Sequence, residues 1–441
     1  MNIYQAAYAI EFGEDAVSGP RTMMQYCKKK TGLPMNGASS SSHSSPFIGK
    51  LIIFVNPCSG NGKGAQTFHR LVEPSLRSNK IDYELIMTKG PGHARNIVEE
   101  RDLGEFNAIL ILSGDGLVFE VLNGMFNRKD YWEMLHVLPI AIVPSGSGNG
   151  LLSSVFAHRG HPLKNPAFNL RAIELIASPE CKAQPINLIH AQTRDSNFAA
   201  FLSVGWGLMA DIDIESERFR KSLGSNRFII SALLRCFNLR TYQGRLSYRK
   251  NSLPEHGSFA PFPVYGQNAA EKIRDCSCTR PGTSKSGRSA STTNARENED
   301  IWLISHGVEG IPAIDEPIPQ DPSSGWTTIE DEFVGVYAMA LSHIANDGPM
   351  QPRARLDDDR IYLSYIRKRD VPSRMALMKM LAAMEKSNHL KMDFLKWVDV
   401  SSFRLESFTG GKIVLDGELL QTDIIQATVS NHRTAVVADL R

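Results

Sequence analysis

Short aliphatic runs alternate with helix-like stretches between residues 47 and 180. The run at residues 109–112 is Ile-Leu-Ile-Leu, and similar runs lie at residues 51–55 and 138–143. Uniformly apolar runs of this length are typical of strands buried on both faces, as in parallel sheets. Because helix-like stretches separate them, the pattern predicts βαβ units and an N-terminal Rossmann-like α/β domain over residues 47–180.

The pattern changes in the second part of the chain, where strand-like runs follow one another with few helices between them. These runs lie at residues 186–191, 198–204, 244–248, 302–305, 333–341, 360–366, 403–406, 412–415 and 424–429. They predict a mostly antiparallel β domain over residues 181–441. Residues 250–300, rich in Pro, Gly, Ser, Thr and mixed charge, predict a disordered insertion. Residues 1–46 end in a Ser-rich run and predict a flexible extension.

Composition narrows the function classes. The 441 residues carry a formal net charge of +2, so no general electrostatic argument favours nucleic-acid binding. The six cysteines are scattered and predict reduced thiols in a cytoplasmic protein, with no second Cys/His pair to complete a zinc site. No segment reaches the ~18 apolar residues that span a membrane, and the N-terminus lacks the basic region of a signal peptide.

Three predicted strands run into glycine-rich turns, at residues 56–64, 113–116 and 144–150. Since the carboxyl ends of parallel strands meet at one sheet edge, we expect these turns to converge. Backbone N–H groups and helix N-termini there favour a phosphate-rich ligand. The spacing fits neither a Walker A loop nor a dinucleotide fingerprint. Asp115, between two glycines, is a candidate catalytic carboxylate, although Asp in this position is also a common helix cap.

Three of these motifs resemble the diacylglycerol-kinase-like lipid kinase catalytic domain: Ser113-Gly114-Asp115-Gly116, Asn56-Pro57 and the loop at residues 144–149. Further blocks at residues 201–217, 240–245 and 416–418 are similar to the sphingosine kinase family. The resemblance covers roughly residues 48–250 and 330–430. It implies an α/β nucleotide domain, a C-terminal antiparallel β-sandwich and an active site in the interdomain cleft. It also implies transfer of the γ-phosphoryl group of ATP, with Mg²⁺, to the primary hydroxyl of a sphingoid base.

The resemblance also implies roles for individual residues. Asp115 would be the general base, as phosphoryl transfer otherwise needs mainly positioning and charge neutralisation. The implied nucleotide-binding residues are Asn56, Pro57, Cys58, Thr88, Glu120, Ser145, Gly146, Ser147, Arg220, Arg227, Asp416, Gly417 and Glu418. The implied substrate-binding residues are Ser113, Gly114, Gly116, Ser203 and Asp213. Among these, Asp213 would pair with the substrate ammonium and Ser203 with a substrate hydroxyl. The motif at residues 416–418 would reach the nucleotide and, through water, Mg²⁺.

Three of these assignments have structural alternatives. Asp213 could pair with a nearby arginine at a helix start, and Arg227 could be a surface charge. The Asp416-Gly417 pair could be an ordinary hairpin turn. The chain also departs from the family at Cys58 and Ser59, where relatives often carry a basic residue or glycine.

Two further segments concern the lipid. Arg227, Ser231 and Arg235 recur every four residues and form a polar stripe on an otherwise apolar stretch. This stretch is either an ordinary buried helix or a lid over the lipid pocket that also contacts the membrane interface. The methionine-rich residues 375–384 fit either a wall around an alkyl chain or a packed core.

Several functions compete. Another lipid kinase, acting on ceramide or diacylglycerol, would leave Asp213 without an ammonium to bind. A soluble NAD kinase fits the apolar helix and residues 203–217 poorly. A catalytically silent scaffold fits poorly because Asp115 and the other implied working residues are all present. We therefore expect a cytoplasmic sphingosine kinase that associates reversibly with membranes. The oligomeric state stays open, with a homodimer among the alternatives.

Overall fold

The computed structural model describes residues 47–146, 148–219, 227–252, 259–275, 311–346 and 348–439. The predicted extension at residues 1–46, much of the predicted insertion and the predicted strand at residues 302–305 lie outside this part. Two predicted site residues, Ser147 and Arg220, also lie outside it.

The first part of the chain forms a parallel sheet, as the aliphatic runs predict. Its strands are β1 (Gly49–Val55), β2 (Ile81–Met87), β3 (Ala108–Ser113) and β4 (Ile140–Pro144). They pair in the order β2-β1-β3-β4. Every residue of β3 and β4 is buried, which explains why these strands show no alternation of polar and apolar residues.

Helices connect and cover these strands. They are α1 (Ser59–Gly62), α2 (Gly64–Thr67), α3 (Glu73–Ser78), α4 (His93–Glu100), α5 (Asp115–Phe126), α6 (Tyr131–Val137), α7 (Gly150–Arg159) and α8 (Ala167–Ala177). The helix-like stretch after β1 is not one regular helix but consists of α2, a π-helical turn (Phe68–Val72) and α3. Pro74 lies in the first turn of α3 and has no N–H to donate, so regular α-helical bonding cannot run through this segment.

The second part is mostly antiparallel, as predicted. Its strands are β5 (Lys182–Gln192), β6 (Asn197–Ala200), β7 (Ser203–Gly207), β8 (Tyr242–Lys250), β9 (Phe262–Pro263), β10 (Trp326–Met339), β11 (Ile361–Arg367), β12 (Lys396–Ser407), β13 (Ile413–Leu415), β14 (Glu418–Leu420) and β15 (Ile424–Asp439). Its helices are α9 (Leu208–Ser216), α10 (Arg227–Phe237), α11 (Ala269–Asp275) and α12 (Arg374–Ala383). Strands β8, β10, β11 and β12 pair in a closed ring. No helix in the described ranges combines the length and the apolarity needed to cross a membrane.

Strand β15 connects the two parts. It pairs with β12 and β5 in antiparallel fashion, and its Val436 pairs with Ile140 of β4 in parallel. The sequence pattern predicts only its first third, residues 424–429. The polar run at residues 430–433 hides the continuation, although the His432 side chain within it is fully buried. A break in register with β5 falls on the same residues.

Candidate active site

Asp115 lies at the first residue of α5, directly after the buried strand β3. Its Oδ2 accepts a hydrogen bond from the Gly150 N–H at 2.6 Å, and its Oδ1 accepts one from the Leu151 N–H at 3.2 Å. Those amides begin α7, so the carboxylate faces the positive end of a helix other than its own. Burial raises the pKa of Asp115 to about 6, against the opposing effect of the two amide bonds. The carboxylate does not cap α5, whose N-cap position is occupied by Gly114.

The glycine-rich turns meet around this carboxylate. The Asp115 N–H donates to the Gly148 carbonyl at 3.1 Å, and the Ser145 N–H donates to the Ser113 carbonyl at 3.1 Å. A Cβ at Gly114 would lie 2.3 Å from the Gly148 carbonyl oxygen, so a side chain there would push the two turns apart. A Cβ at Gly146 would likewise lie 3.2 Å from the Gly114 nitrogen.

The turn after β1 joins the same edge of the sheet. Its Ser59 hydroxyl lies 3.0 Å from the Ser145 hydroxyl. Within the turn, the Asn56 side chain accepts the Cys58 N–H at 2.9 Å and so fixes the backbone around Pro57. At the end of β2, the buried Thr88 donates its N–H to the Val55 carbonyl. The turns after β1, β2, β3 and β4 therefore meet at one edge of the sheet.

Two polar atoms at this edge are buried without a hydrogen-bond partner in the described part of the chain. They are Glu120 Oε2, on α5, and Asn149 Oδ1, at the N-cap of α7. Buried polar atoms normally have partners, so such atoms mark a place where a ligand can supply them. Glu120 is a predicted site residue, whereas sequence reasoning missed Asn149 although it lies within the motif at residues 144–149.

The Asp416-Gly417 pair forms the two-residue turn between β13 and β14. Both residues have positive φ, 49° and 90°, as the hairpin alternative requires. The Asp416 carboxylate accepts the N–H groups of Phe201, Leu202 and Ser203 at 2.8 to 2.9 Å. These amides therefore do not extend a ladder, which explains why the strand predicted at residues 198–204 is split into β6 and β7. Burial raises the pKa of Asp416 to about 7, and the nearby Asp115 adds to this shift.

Glu418 brings a second carboxylate to Asp115 from the C-terminal part. A Cβ at Gly116 would lie 3.0 Å from Glu418 Oε1. Glu418 thus reaches the first turn of α5, next to Asp115. Within the described ranges, no group of three His, Cys, Asp or Glu side chains is arranged to hold a metal ion by itself.

The predicted substrate residues Ser203 and Asp213 lie on β7 and on α9, respectively. These two elements follow each other directly in the chain. Tyr337 of β10, which sequence reasoning missed within an apolar strand, donates its phenolic hydrogen to Ser203 Oγ at 3.2 Å. Burial raises the pKa of this phenol, and the charges of Asp213, Asp416 and Asp115 raise it further. The structure therefore brings three predicted carboxylates within electrostatic range of one unpredicted tyrosine.

A narrow apolar pocket opens beside Tyr337. Its walls come from β7, the start of α9, β10, β11, α12 and the segment after α12. They are formed by Trp206, Leu208, Met209, Gly335, Val336, Tyr337, Met350, Ser364, Tyr365, Ile366, Met380, Met384, His389 and Leu395. Met380 and Met384, from the methionine-rich residues 375–384, line this pocket. Their position fits the alternative in which these residues form a wall around an alkyl chain.

Helix α10 exposes its apolar side and buries its polar one. Arg227, Ser231 and Arg235 are buried, and the two arginines pair with Glu217 and Glu215. The surface-charge alternative for Arg227 is therefore wrong. The exposed side, which we call the α10 apolar face, consists of Ile229, Leu233, Leu234 and Phe237. Phe237 is 68% exposed and Ile229 64% exposed, so α10 is not an ordinary buried helix.

Comparison with solved structures places this fold among bacterial lipid kinases. A diacylglycerol kinase from Bacillus anthracis str. Sterne matches with a TM-score of 0.50 and 16% identity, over 90% of this chain and 98% of that one. Two further chains from the same organism have TM-scores of 0.54 and 0.55. At such identities the similarity shows the fold alone. The family model of the diacylglycerol kinase catalytic domain matches residues 50–182. Fold and motifs thus define a lipid kinase of the diacylglycerol-kinase-like class.

Named relatives identify the family within this class. Sphingosine kinase 1 of Caenorhabditis elegans is 44% identical over 389 residues, which are 87% of this chain and 80% of that protein. Sphingosine kinase 1 of Mus musculus and that of Homo sapiens are each 32% identical, over 86% of this chain and 88% of theirs. The chain belongs to the sphingosine kinase family.

Proposed function

We propose that this chain transfers the γ-phosphoryl group of ATP to the primary hydroxyl of sphingosine or a related sphingoid base. The products are the base 1-phosphate and ADP. The observation that carries this proposal is the buried carboxylate of Asp115 at the meeting point of three glycine-rich turns. The apolar pocket begins at Tyr337, which lies within electrostatic range of this carboxylate. The names of the relatives support the same substrate class.

Asp115 acts as the general base in this proposal. The substrate hydroxyl gives its proton to the carboxylate, its oxygen bonds to the γ-phosphorus, and the bond to the β-phosphate oxygen breaks. A pKa of about 6 leaves the carboxylate ionised near neutral pH while keeping it basic enough to accept a proton. The amides of Gly150 and Leu151 hold both carboxylate oxygens in place.

The nucleotide lies along this edge of the sheet in the proposal. Backbone and hydroxyl donors of Ser145, Gly146 and Ser147 face its phosphates, and Asn56, Pro57, Cys58 and Thr88 line it. The unpartnered Oε2 of Glu120 accepts a hydrogen bond from the ribose or base end. Arg220 and Arg227 neutralise phosphate charge. Arg227 leaves its pairing with Glu217 to do so, because it is bound there in the structure.

The donor set fits Mg²⁺ bound together with the nucleotide. Proteins commonly hold this ion with one or two carboxylates plus substrate phosphates, and not with a cage of their own. Glu418, which lies beside Gly116, would hold the ion through water in this proposal. Asp416 also lies near Asp115, but its carboxylate already accepts three backbone N–H groups. Bound Mg²⁺ would neutralise charge on the phosphates.

Asp213 selects the lipid in this proposal. A sphingoid base carries an ammonium group that a carboxylate can pair with, whereas ceramide and diacylglycerol carry none. The decisive experiment measures transfer of radiolabelled phosphate from ATP to sphingosine, ceramide and diacylglycerol in detergent micelles. We expect strong preference for sphingosine, and preference for diacylglycerol would overturn the proposal.

Asp115→Asn is the matched control in this assay. It keeps the side-chain volume and removes the base, so we expect turnover of sphingosine to fall by about 10²- to 10⁴-fold. Turnover at the parental rate would show that Asp115 is not the base.

Reversible membrane contact through the α10 apolar face completes the proposal. The substrate resides in membranes, and four exposed apolar side chains on one helix face suit the interfacial region of a bilayer.

A further inference from the structure

Tyr337 contacts both a polar cluster and the apolar pocket. Its hydroxyl bonds to Ser203 Oγ among the carboxylates, while the residue also lines the apolar pocket. Neither Ser203 nor any of the three carboxylates lines that pocket. Tyr337 therefore lies where the polar cluster around Ser203 meets the apolar pocket.

The local structure keeps the phenol at this point. Tyr337 pairs with Gly205 of β7, and a Cβ at Gly205 would lie 3.0 Å from the tyrosine Cε2. The glycine thus leaves room for the ring to lie across β7 towards Ser203. On the other side, the Ser364 hydroxyl donates to the Tyr337 carbonyl at 2.7 Å and secures the backbone.

The direction of the hydrogen bond determines what the phenol can offer a ligand. Tyr337 donates its proton to Ser203, so the lone pairs of the phenolic oxygen stay available as acceptors. The pocket wall beyond is almost entirely apolar. A hydroxyl on the early part of the alkyl chain would be buried there without a partner, which is costly, unless this oxygen accepted its proton.

We propose that Tyr337 is a specificity-determining residue whose phenolic oxygen binds a hydroxyl on the fourth carbon of a long-chain base. This inference rests on the proposed function, because it assumes a base whose primary hydroxyl meets Asp115 and whose ammonium meets Asp213. The substrate atoms then run in order, with the third-carbon hydroxyl at Ser203 and the fourth carbon at Tyr337. The chain thereby favours 4-hydroxylated bases over bases without that hydroxyl.

The test compares 4-hydroxysphinganine with sphinganine, two bases that differ in this hydroxyl alone. Both kcat/KM and, without nucleotide, the equilibrium Kd of the radiolabelled bases in detergent micelles are measured. The variants are Tyr337→Phe and, as a control, Tyr365→Phe, which removes the phenol of another pocket-lining residue that pairs with Val336 and not with Tyr337. We expect Tyr337→Phe to lower the preference for the hydroxylated base by about tenfold in both measurements. Tyr365→Phe should change both bases alike.

A purely space-filling role for Tyr337 would weaken both bases equally. A preference that stays within about twofold of the parental one in Tyr337→Phe would overturn the inference. If the parental protein phosphorylated neither base, the proposed function would fail. The Kd ratio would still decide the role of Tyr337.

Discussion

Asp115 has a pKa near the pH at which a kinase works. Burial raises it to about 6, so the carboxyl group is protonated, and unable to act as a base, below that pH. We expect kcat/KM to fall tenfold per pH unit as the pH decreases below about 6. Phosphate transfer measured from about pH 5 to 8 checks this, with circular dichroism to confirm that the protein stays folded. A rate that stays constant across this range would contradict the assignment.

The raised pKa of Asp115 also makes the stability of the folded protein depend on pH. The folded protein holds a proton on Asp115 at pH values where the unfolded chain has released it. Stability contributed by this group is therefore present at low pH and is lost as the pH rises from the ordinary value of 3.8 to about 6. The burial that raises the pKa of Asp115 therefore lowers the free energy of unfolding at neutral pH.

Asp416 has a role in folding as well as its predicted place near the nucleotide. Its carboxylate accepts three buried backbone N–H groups, of Phe201 and Leu202 between β6 and β7 and of Ser203 at the start of β7. We expect Asp416→Ala to lower the free energy of unfolding by about 3 kcal/mol, because these donors lose their acceptor. Urea denaturation measures this change.

Asp423→Ala is the matched control for Asp416→Ala. It removes an exposed carboxylate that pairs only with Arg194 among the described residues, and it should cost less than about 1 kcal/mol. Equal effects of the two substitutions would contradict the bracing role of Asp416.

At the scale of elements, α10 reverses the arrangement that its sequence pattern usually takes. Its arginines point inward to Glu215 and Glu217, and its apolar side chains point outward. We expect Leu233→Asp and Phe237→Asp each to weaken binding to lipid vesicles by about tenfold or more, given ~1.5–3 kcal/mol for burying such a side chain. Co-sedimentation with vesicles measures the bound fraction.

Phe408→Asp is the control for these variants. Phe408 is 49% exposed but lies outside α10, so its loss should leave vesicle binding unchanged. An equal loss in all three variants would point to a general effect of added negative charge and would contradict a role for the α10 apolar face.

Elements whose side chains face one environment along their whole length could be predicted from the sequence. The strand at residues 108–113 is buried throughout and shows this in its aliphatic run. The second half of β15 could not be predicted, because Asn431 and Arg433 interrupt its pattern while partner strands on both sides secure it. Likewise, the position of Asp115 between two glycines indicates a turn. The hydrogen bonds of its carboxylate to α7 depend on tertiary structure and could not be predicted.

Long-range contacts explain the parts of the site that sequence reasoning missed. Tyr337 stands in an apolar run that predicts a strand, and only the pairing of β10 with β7 brings its hydroxyl to Ser203. Glu418 was predicted through the resemblance, yet its approach to Gly116 requires the β13–β14 hairpin to fold back on α5.

At the scale of the whole molecule, β15 joins the antiparallel part of the sheet to its parallel part. It pairs with β12 and β5 of the second part and with β4 of the first. Because loss of either part would remove partners from this strand, we expect one cooperative unfolding transition. Calorimetry should give equal calorimetric and van't Hoff enthalpies. Two resolved transitions would contradict this coupling.

The position of β15 also bears on how the chain folds during synthesis. The ribosome makes the parallel sheet first, but the strand that flanks its β4 edge is the last of the described strands to emerge. The edge of β4 therefore stays open while nearly 300 residues are added. The nascent chain thus exposes an unpaired strand edge for most of translation, which is when chaperones would be needed to protect it.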